Sequence, residues 1–202
     1  MSTNGDTGDT DDIGDTDDTG GDGSPTRPRL LVDAMCGKLA TYLRMCGYDA
    51  AYALDRGVEA DDRLLSLAAD EDRTLITRDR ELAARAADRK DGAVLLIERD
   101  VLDQLREVTG AGLPMELAAE PTRCGACNGR VERIGAGGTG VDPDDRPEYV
   151  PDDVGASPPE DAASDNVQAD ADSRPAWRCR DCGRWFWKGG HWESVADRLD
   201  EM

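Results

Sequence analysis

Arg29-Leu-Leu-Val-Asp-Ala-Met-Cys-Gly-Lys-Leu-Ala-Thr-Tyr-Leu-Arg-Met-Cys-Gly47 is the stretch on which the fold turns. Leu30, Leu31 and Val32 make a short apolar run that stops at Asp33, the signature of a buried strand. From Met35 the apolar residues recur at Leu39, Tyr42, Leu43 and Cys46, a helical stripe closed by Gly47. The same alternation continues outward. Strands are expected at Ala50–Ala53, Thr74–Thr77 and Ala93–Ile97. Helices are expected from Asp61, over Asp79–Ala87 and over Val101–Ala111. Strands alternating with helices of this size define an α/β domain over 29–119, a parallel sheet flanked by helices. Such a length is enough for one small core. Cys36 and Cys46 stand ten residues apart on the first helix, about 15 Å at 1.5 Å per residue. That is too far for a disulfide, so both read as buried small apolar groups.

Acids sit where those strands end. Asp33 closes the first strand, Asp79 follows the Leu-Ile-Thr strand, Asp100 follows the Val-Leu-Leu-Ile strand, and Asp61 and Asp62 open a helix. In a parallel α/β sheet the strand C-termini share one edge, and ligands bind there where the strand order reverses. Asp is also a favoured helix N-cap, which accounts equally well for Asp61, Asp79 and Asp100 taken singly. Asp33 has less reason to be an acid unless it binds something, because it ends a wholly apolar strand.

The C-terminal part carries a different chemistry. Cys124-Gly-Ala-Cys127 and Cys179-Arg-Asp-Cys182 are two Cys-x-x-Cys knuckles, and together they predict one closed, structural zinc site. Fifty-one residues separate the pairs, where about 15–20 is usual. The surplus is expected to be an acidic, flexible insertion at about 141–175 within a ribbon spanning 120–194. Val141–Pro175 holds eleven acids against Arg146 and Arg174. With the insertion removed, Arg123–Ile134 and Ala176–Trp192 hold seven basic residues and two acids, a basic island. All four tryptophans, the one phenylalanine and the one histidine lie in or beside the second knuckle. Exposed aromatic rings among cations suit the stacking of unpaired bases. Trp185 and Trp192 are expected to be exposed, with Trp177 and Trp187 as ribbon core. Arg184 and Lys188 are candidate phosphate contacts, His191 a phosphate or base contact, and Lys38, at the start of the first helix, a further substrate contact. Arg44 reads equally as a solvated or a salt-bridged surface residue.

Composition sets the background. A net charge of −20 over 202 residues, rich in Asp and Arg and poor in Lys and Phe, is the pattern of a halophilic protein in a salt-rich cytosol. At molar salt the Debye length falls to about 3 Å, so an acidic chain is not barred from RNA. No apolar run of membrane-spanning length and no basic-then-apolar leader occurs. The chain is therefore expected to be cytoplasmic, where reduced thiols favour zinc over disulfides. Residues 1–28 read as a disordered acidic tail, with eight Asp and no basic residue among the first 23.

Several of these motifs, in order, resemble one family. They are Leu31-Val-Asp-Ala-Met-Cys-Gly-Lys-Leu-Ala, Asp61-Asp-Arg-Leu-Leu, Leu75-Ile-Thr-Arg-Asp-Arg-Glu-Leu82, Arg123-Cys-Gly-Ala-Cys-Asn-Gly129, Trp177-Arg-Cys-Arg-Asp-Cys-Gly-Arg-Trp-Phe-Trp187 and Gly190-His-Trp192. The combination is similar to the Mut-seven C-terminal RNase domain family, from about Arg29 to Trp192. The resemblance implies a PIN-like domain fused to a zinc ribbon and a metal-dependent ribonuclease, endonucleolytic rather than exonucleolytic. It implies acidic ligands for magnesium or manganese at Asp33, Asp61 and Asp79, with Asp62 the alternative to Asp61. The acidic tail and the long insertion depart from the family pattern. A non-hydrolytic RNA- or ribosome-associated binding protein is the competing expectation. A phosphotransferase is disfavoured because Asp33-Ala-Met lacks a second acid two residues on.

Overall fold

A computed structural model describes residues 27–88, 92–134, 146–155 and 174–201. The first 26 residues and most of the acidic insertion, for which disorder and flexibility were expected, lie outside the described residues. Strands β1 (Arg29–Val32), β2 (Ala50–Tyr52), β3 (Arg73–Thr77) and β4 (Ala93–Leu95) form one parallel sheet in the order β2-β1-β3-β4. Three further strands, β5 (Val131–Ile134), β6 (Ala176–Cys179) and β7 (Trp185–Trp187), make a small antiparallel sheet.

Pleating sorts the core. Leu30, Val32 and Ile76 face α1 (Gly37–Met45) and α4 (Val101–Gly110), whereas Leu31 and Leu75 face α2 (Asp61–Asp70) and α3 (Arg80–Ala87). The sheet is thus covered on both faces, as the alternating pattern predicts. A short 3-10 turn, Ala34–Cys36, precedes α1 and shifts the phase of its stripe: Leu39 and Leu43 are fully buried, while Met35 is exposed. At Gly37 a Cβ would stand 2.9 Å from the Tyr52 hydroxyl, which donates to the Ala34 carbonyl. Only glycine lets the Tyr52 ring seal this turn.

Two parts of the ribbon differ from expectation. The chain at residue 194 lies inside a helix, α5 (Gly190–Asp200), whose Val195 and Leu199 enter the core formed by α1 and α4. Arg198 donates to the Tyr42 hydroxyl at 3.0 Å, so the C-terminal helix packs on the α/β domain instead of ending the ribbon. Part of the expected insertion is also ordered. Val150 and Val154 are buried against Trp185 and Ala176, and Arg174 holds Asp153 through two hydrogen bonds.

Candidate metal centre and carboxylate edge

Strand order reverses between β1 and β3, and their C-termini carry Asp33 and Asp79. Val32 pairs with Ile76, which sets Asp33 beside Thr77. Asp33 is buried, and its Oδ2 accepts a 2.6 Å hydrogen bond from Thr77 Oγ1. Thr77 Oγ1 in turn accepts from the Asp79 N–H at 3.0 Å. One hydroxyl therefore links the Asp33 carboxylate to the backbone of Asp79. Asp33 makes no side-chain cap on the 3-10 turn that follows. Asp79 does cap α3, its Oδ1 accepting from the N–H groups of Glu81 and Leu82, and Asp100 caps α4 through Leu102. Asp61 is no N-cap, since Ala60 holds that position. Asp61 and Asp62 instead pair with Arg85 of α3, the former at 3.7 Å, and both carboxylates are solvent-exposed. Arg78 lies between Thr77 and Asp79, and its Nε is buried without a hydrogen-bond partner among the described residues. Burial first, then the Asp33 charge, pushes the Cys36 thiol up to about 11, and the Arg78 guanidinium opposes both. Arg78 thus stands, by its place in the chain, beside the same strand ends as Asp33 and Thr77.

The thiols are assembled more tightly. The Sγ atoms of Cys124, Cys127, Cys179 and Cys182 all lie within 4.8 Å of one another, the only such group of three or more His, Cys, Asp or Glu donors among the described residues. Cys124 stands 3.7 Å from Cys182, and Cys127 stands 3.5 Å from Cys179. Four sulfurs about 2.3 Å from a tetrahedral zinc would be about 3.8 Å apart, so the donor set fits one zinc ion. Asn128, at φ +68, turns the first knuckle. Gly129 then lets the second approach, because a Cβ there would lie 2.9 Å from Cys179 Sγ.

The first knuckle is docked on the α/β domain by groups the sequence reading did not assign. Arg44 is buried, contrary to the surface position expected of it. It donates to the carbonyls of Ala50, Gly125 and Ala126 at 2.9–3.1 Å and pairs with Asp55 at 3.1 Å. Asn128 Oδ1 accepts from the Ala50 N–H, satisfying the open edge of β2, and Asn128 Nδ2 donates to Asp49. Burial works against the Asp49 carboxylate. Hydrogen bonds from Arg73 and Asn128, with the charges of Arg123 and Arg73, outweigh it and hold the group down at about 2. Because Ala50 begins β2, the Asn128 and Asp49 contacts lie at the end of that strand away from Asp33 and Asp79, and Arg44 reaches along β2 to Asp55.

Among the residues expected to meet RNA, Lys38, Arg184 and His191 are exposed. Lys188 donates to the Ala119 carbonyl and lies 5.9 Å from the Trp192 ring centroid. Trp185 is not exposed. It shares a face of β7 with Trp187, and that face is covered by Val150 and Val154, whereas Trp192 is half-buried on α5. Trp177 is buried, as expected.

A family model described as the Mut7-C RNAse domain matches residues 28–144 and 153–199. No curated protein and no solved structure matches the chain. No helix among the described residues is long and apolar enough to cross a membrane.

Proposed function

The chain belongs to the Mut7-C RNAse domain family, and from that premise we propose that it is a metal-dependent ribonuclease. Its hydrolytic site is the edge carrying Asp33 and Asp79, with Asp61 or Asp62 completing it. The observation that carries the reading is the buried Asp33, an acid at the strand-order reversal that caps nothing and shares Thr77 with Asp79. Oxygen donors of this kind suit magnesium or manganese, which when bound supplies charge to acidify a water and neutralise a phosphodiester. Thr77 orients the Asp33 carboxylate by donating to it. Arg78, whose Nε has no hydrogen-bond partner among the described residues, is assigned to the substrate phosphate, and Lys38 to the strand leaving the site along α1. The four cysteines hold zinc, which keeps the two knuckles together and takes no part in hydrolysis. Arg184, Lys188, His191 and Trp192 contact RNA.

Helix capping by Asp79 favours a second reading, a non-hydrolytic RNA-binding protein whose acids serve the fold. Cleavage of a mixed RNA pool at high salt decides between them. Magnesium- or manganese-dependent cleavage that disappears in Asp33→Asn, with zinc content unchanged, is expected for the nuclease. RNA binding by wild type without cleavage under either ion would leave only the second reading.

A further inference from the structure

Between α1 and the ribbon lies a cleft of about 600 Å³. One wall is Thr41 and Met45, one turn apart on α1. The opposite wall is Phe186 and Trp187 of β7 with His191 and Trp192 from the first turn of α5, and Arg184 and Arg123 stand at its sides. Four of the five Trp and Phe residues of the chain line it, Trp177 being the exception. Its charge is as selective as its shape. With 44 acids in 202 residues, a lining of fourteen residues drawn at random would hold about three, and this one holds none. An apolar peptide needs no such exclusion of carboxylates, whereas a flat ring flanked by phosphates needs both the rings and the cations.

We propose that this cleft receives one unstacked nucleobase of a single-stranded RNA, held against Trp192 and Phe186, with a flanking phosphate on Arg184. The proposal rests on the RNA-directed reading above and adds to it where the strand is gripped. Lys38 and Met45 lie seven residues apart on α1, about 10 Å at 1.5 Å per residue. A base in the cleft therefore places the neighbouring backbone along α1 toward the edge bearing Asp33. The cleft selects for unpaired RNA, because a base inside a duplex presents no free face to it.

The test uses the full zinc-loaded chain without added magnesium or manganese, so that binding is measured apart from cleavage. Three probes are titrated: a 12-nucleotide single-stranded RNA, the same strand in a duplex, and a ribose-phosphate chain of equal length without bases. The single strand is expected to bind best and to quench tryptophan emission. Trp192→Ala and Phe186→Ala are each expected to weaken it by about 5- to 150-fold, the range for one stacked base, and Trp192→Phe to restore most of the loss. Zinc content and thermal midpoint identify any variant that has lost its fold, in which case the wild-type quenching and the base-free chain decide. Equal binding of the base-free chain or the duplex, or unchanged affinity in both folded alanine variants, overturns the base-binding cleft while leaving the nuclease reading intact. Selective single-strand binding without cleavage when divalent ions are supplied has the reverse meaning.

Discussion

The ribbon and the C-terminal edge of the parallel sheet carry donor groups of opposite design. In the ribbon, four thiols are drawn within 4.8 Å by two turns, and the first knuckle is docked along β2 by Arg44, Asn128 and Asp49. At the sheet's C-terminal edge, Thr77 links the Asp33 carboxylate to the backbone of Asp79, and Asp61 and Asp62 are engaged by Arg85. On the function proposed above, the difference follows from ligand chemistry. A closed tetrahedral thiolate site leaves no position for water and serves the fold. A site that hydrolyses phosphodiesters must keep open positions for water and substrate, so its carboxylates cannot be closed around one another.

The sharpest way to break this contrast is to remove two thiolates. Structural zinc in finger peptides is worth about 10–16 kcal/mol of apparent folding free energy, so Cys179→Ser with Cys182→Ser should unfold the ribbon and abolish bound zinc. Elemental analysis that still finds about one equivalent of zinc would remove the assignment. The docking is the next test. Arg44→Met takes a donor from three carbonyls, of which Gly125 keeps a bond from Thr41 Oγ1, and a loss of about 3 kcal/mol in urea unfolding is expected from unpairing a buried charge network. A loss below about 1 kcal/mol would mean that the ribbon does not depend on this arginine.

Asp49 gives a smaller effect with a pH signature. Its carboxyl is held at about 2 against an ordinary 3.8, so its charge stabilises the fold fully above the ordinary value and progressively less as pH falls through the folded value. Asp49→Asn should therefore cost about 2 kcal/mol at pH 7, with the gap between the two proteins closing as pH falls from about 4 toward 2. A gap independent of pH over that window would show that the asparagine loses shape and not charge. The smallest effects separate the two acids of the sheet's C-terminal edge. Asp79→Ala removes a cap and should cost about 0.5–2 kcal/mol. Asp33→Asn keeps an acceptor for Thr77 while relieving repulsion between acids, so its thermal midpoint should be equal or higher as cleavage disappears. A lower midpoint, unaffected by magnesium or manganese in wild type as well, would count against a shared cation.

What sequence could not supply was the third dimension around features it did reveal. The parity of Trp185 and Trp187 places both on one side of a strand, but the side that is covered depends on Val150 and Val154, about 35 residues away. Thr77 is an ordinary strand residue until Asp33 is set beside it by strand pairing. Helix α5 had a usable signal, because Trp192, Val195, Ala196 and Leu199 stand at helical spacing. An arginine near the end of an amphipathic helix reads as solvated, and only the carbonyls of the docked knuckle make Arg44 a buried donor.

The chain's own spacing determined the alternating strands and helices, the two knuckles and the acids at the strand ends, because each depends on residues a few positions apart whose geometry is set by the backbone. Tertiary structure alone decided that the thiol-bearing ribbon docks along β2 while Asp33 and Asp79 meet at the strand ends, and that an acid-free aromatic cleft opens between α1 and the ribbon. The docked ribbon and the cleft join groups some 80 to 150 residues apart, and they exist only because packing buries Arg44, Val195 and Leu199 at once.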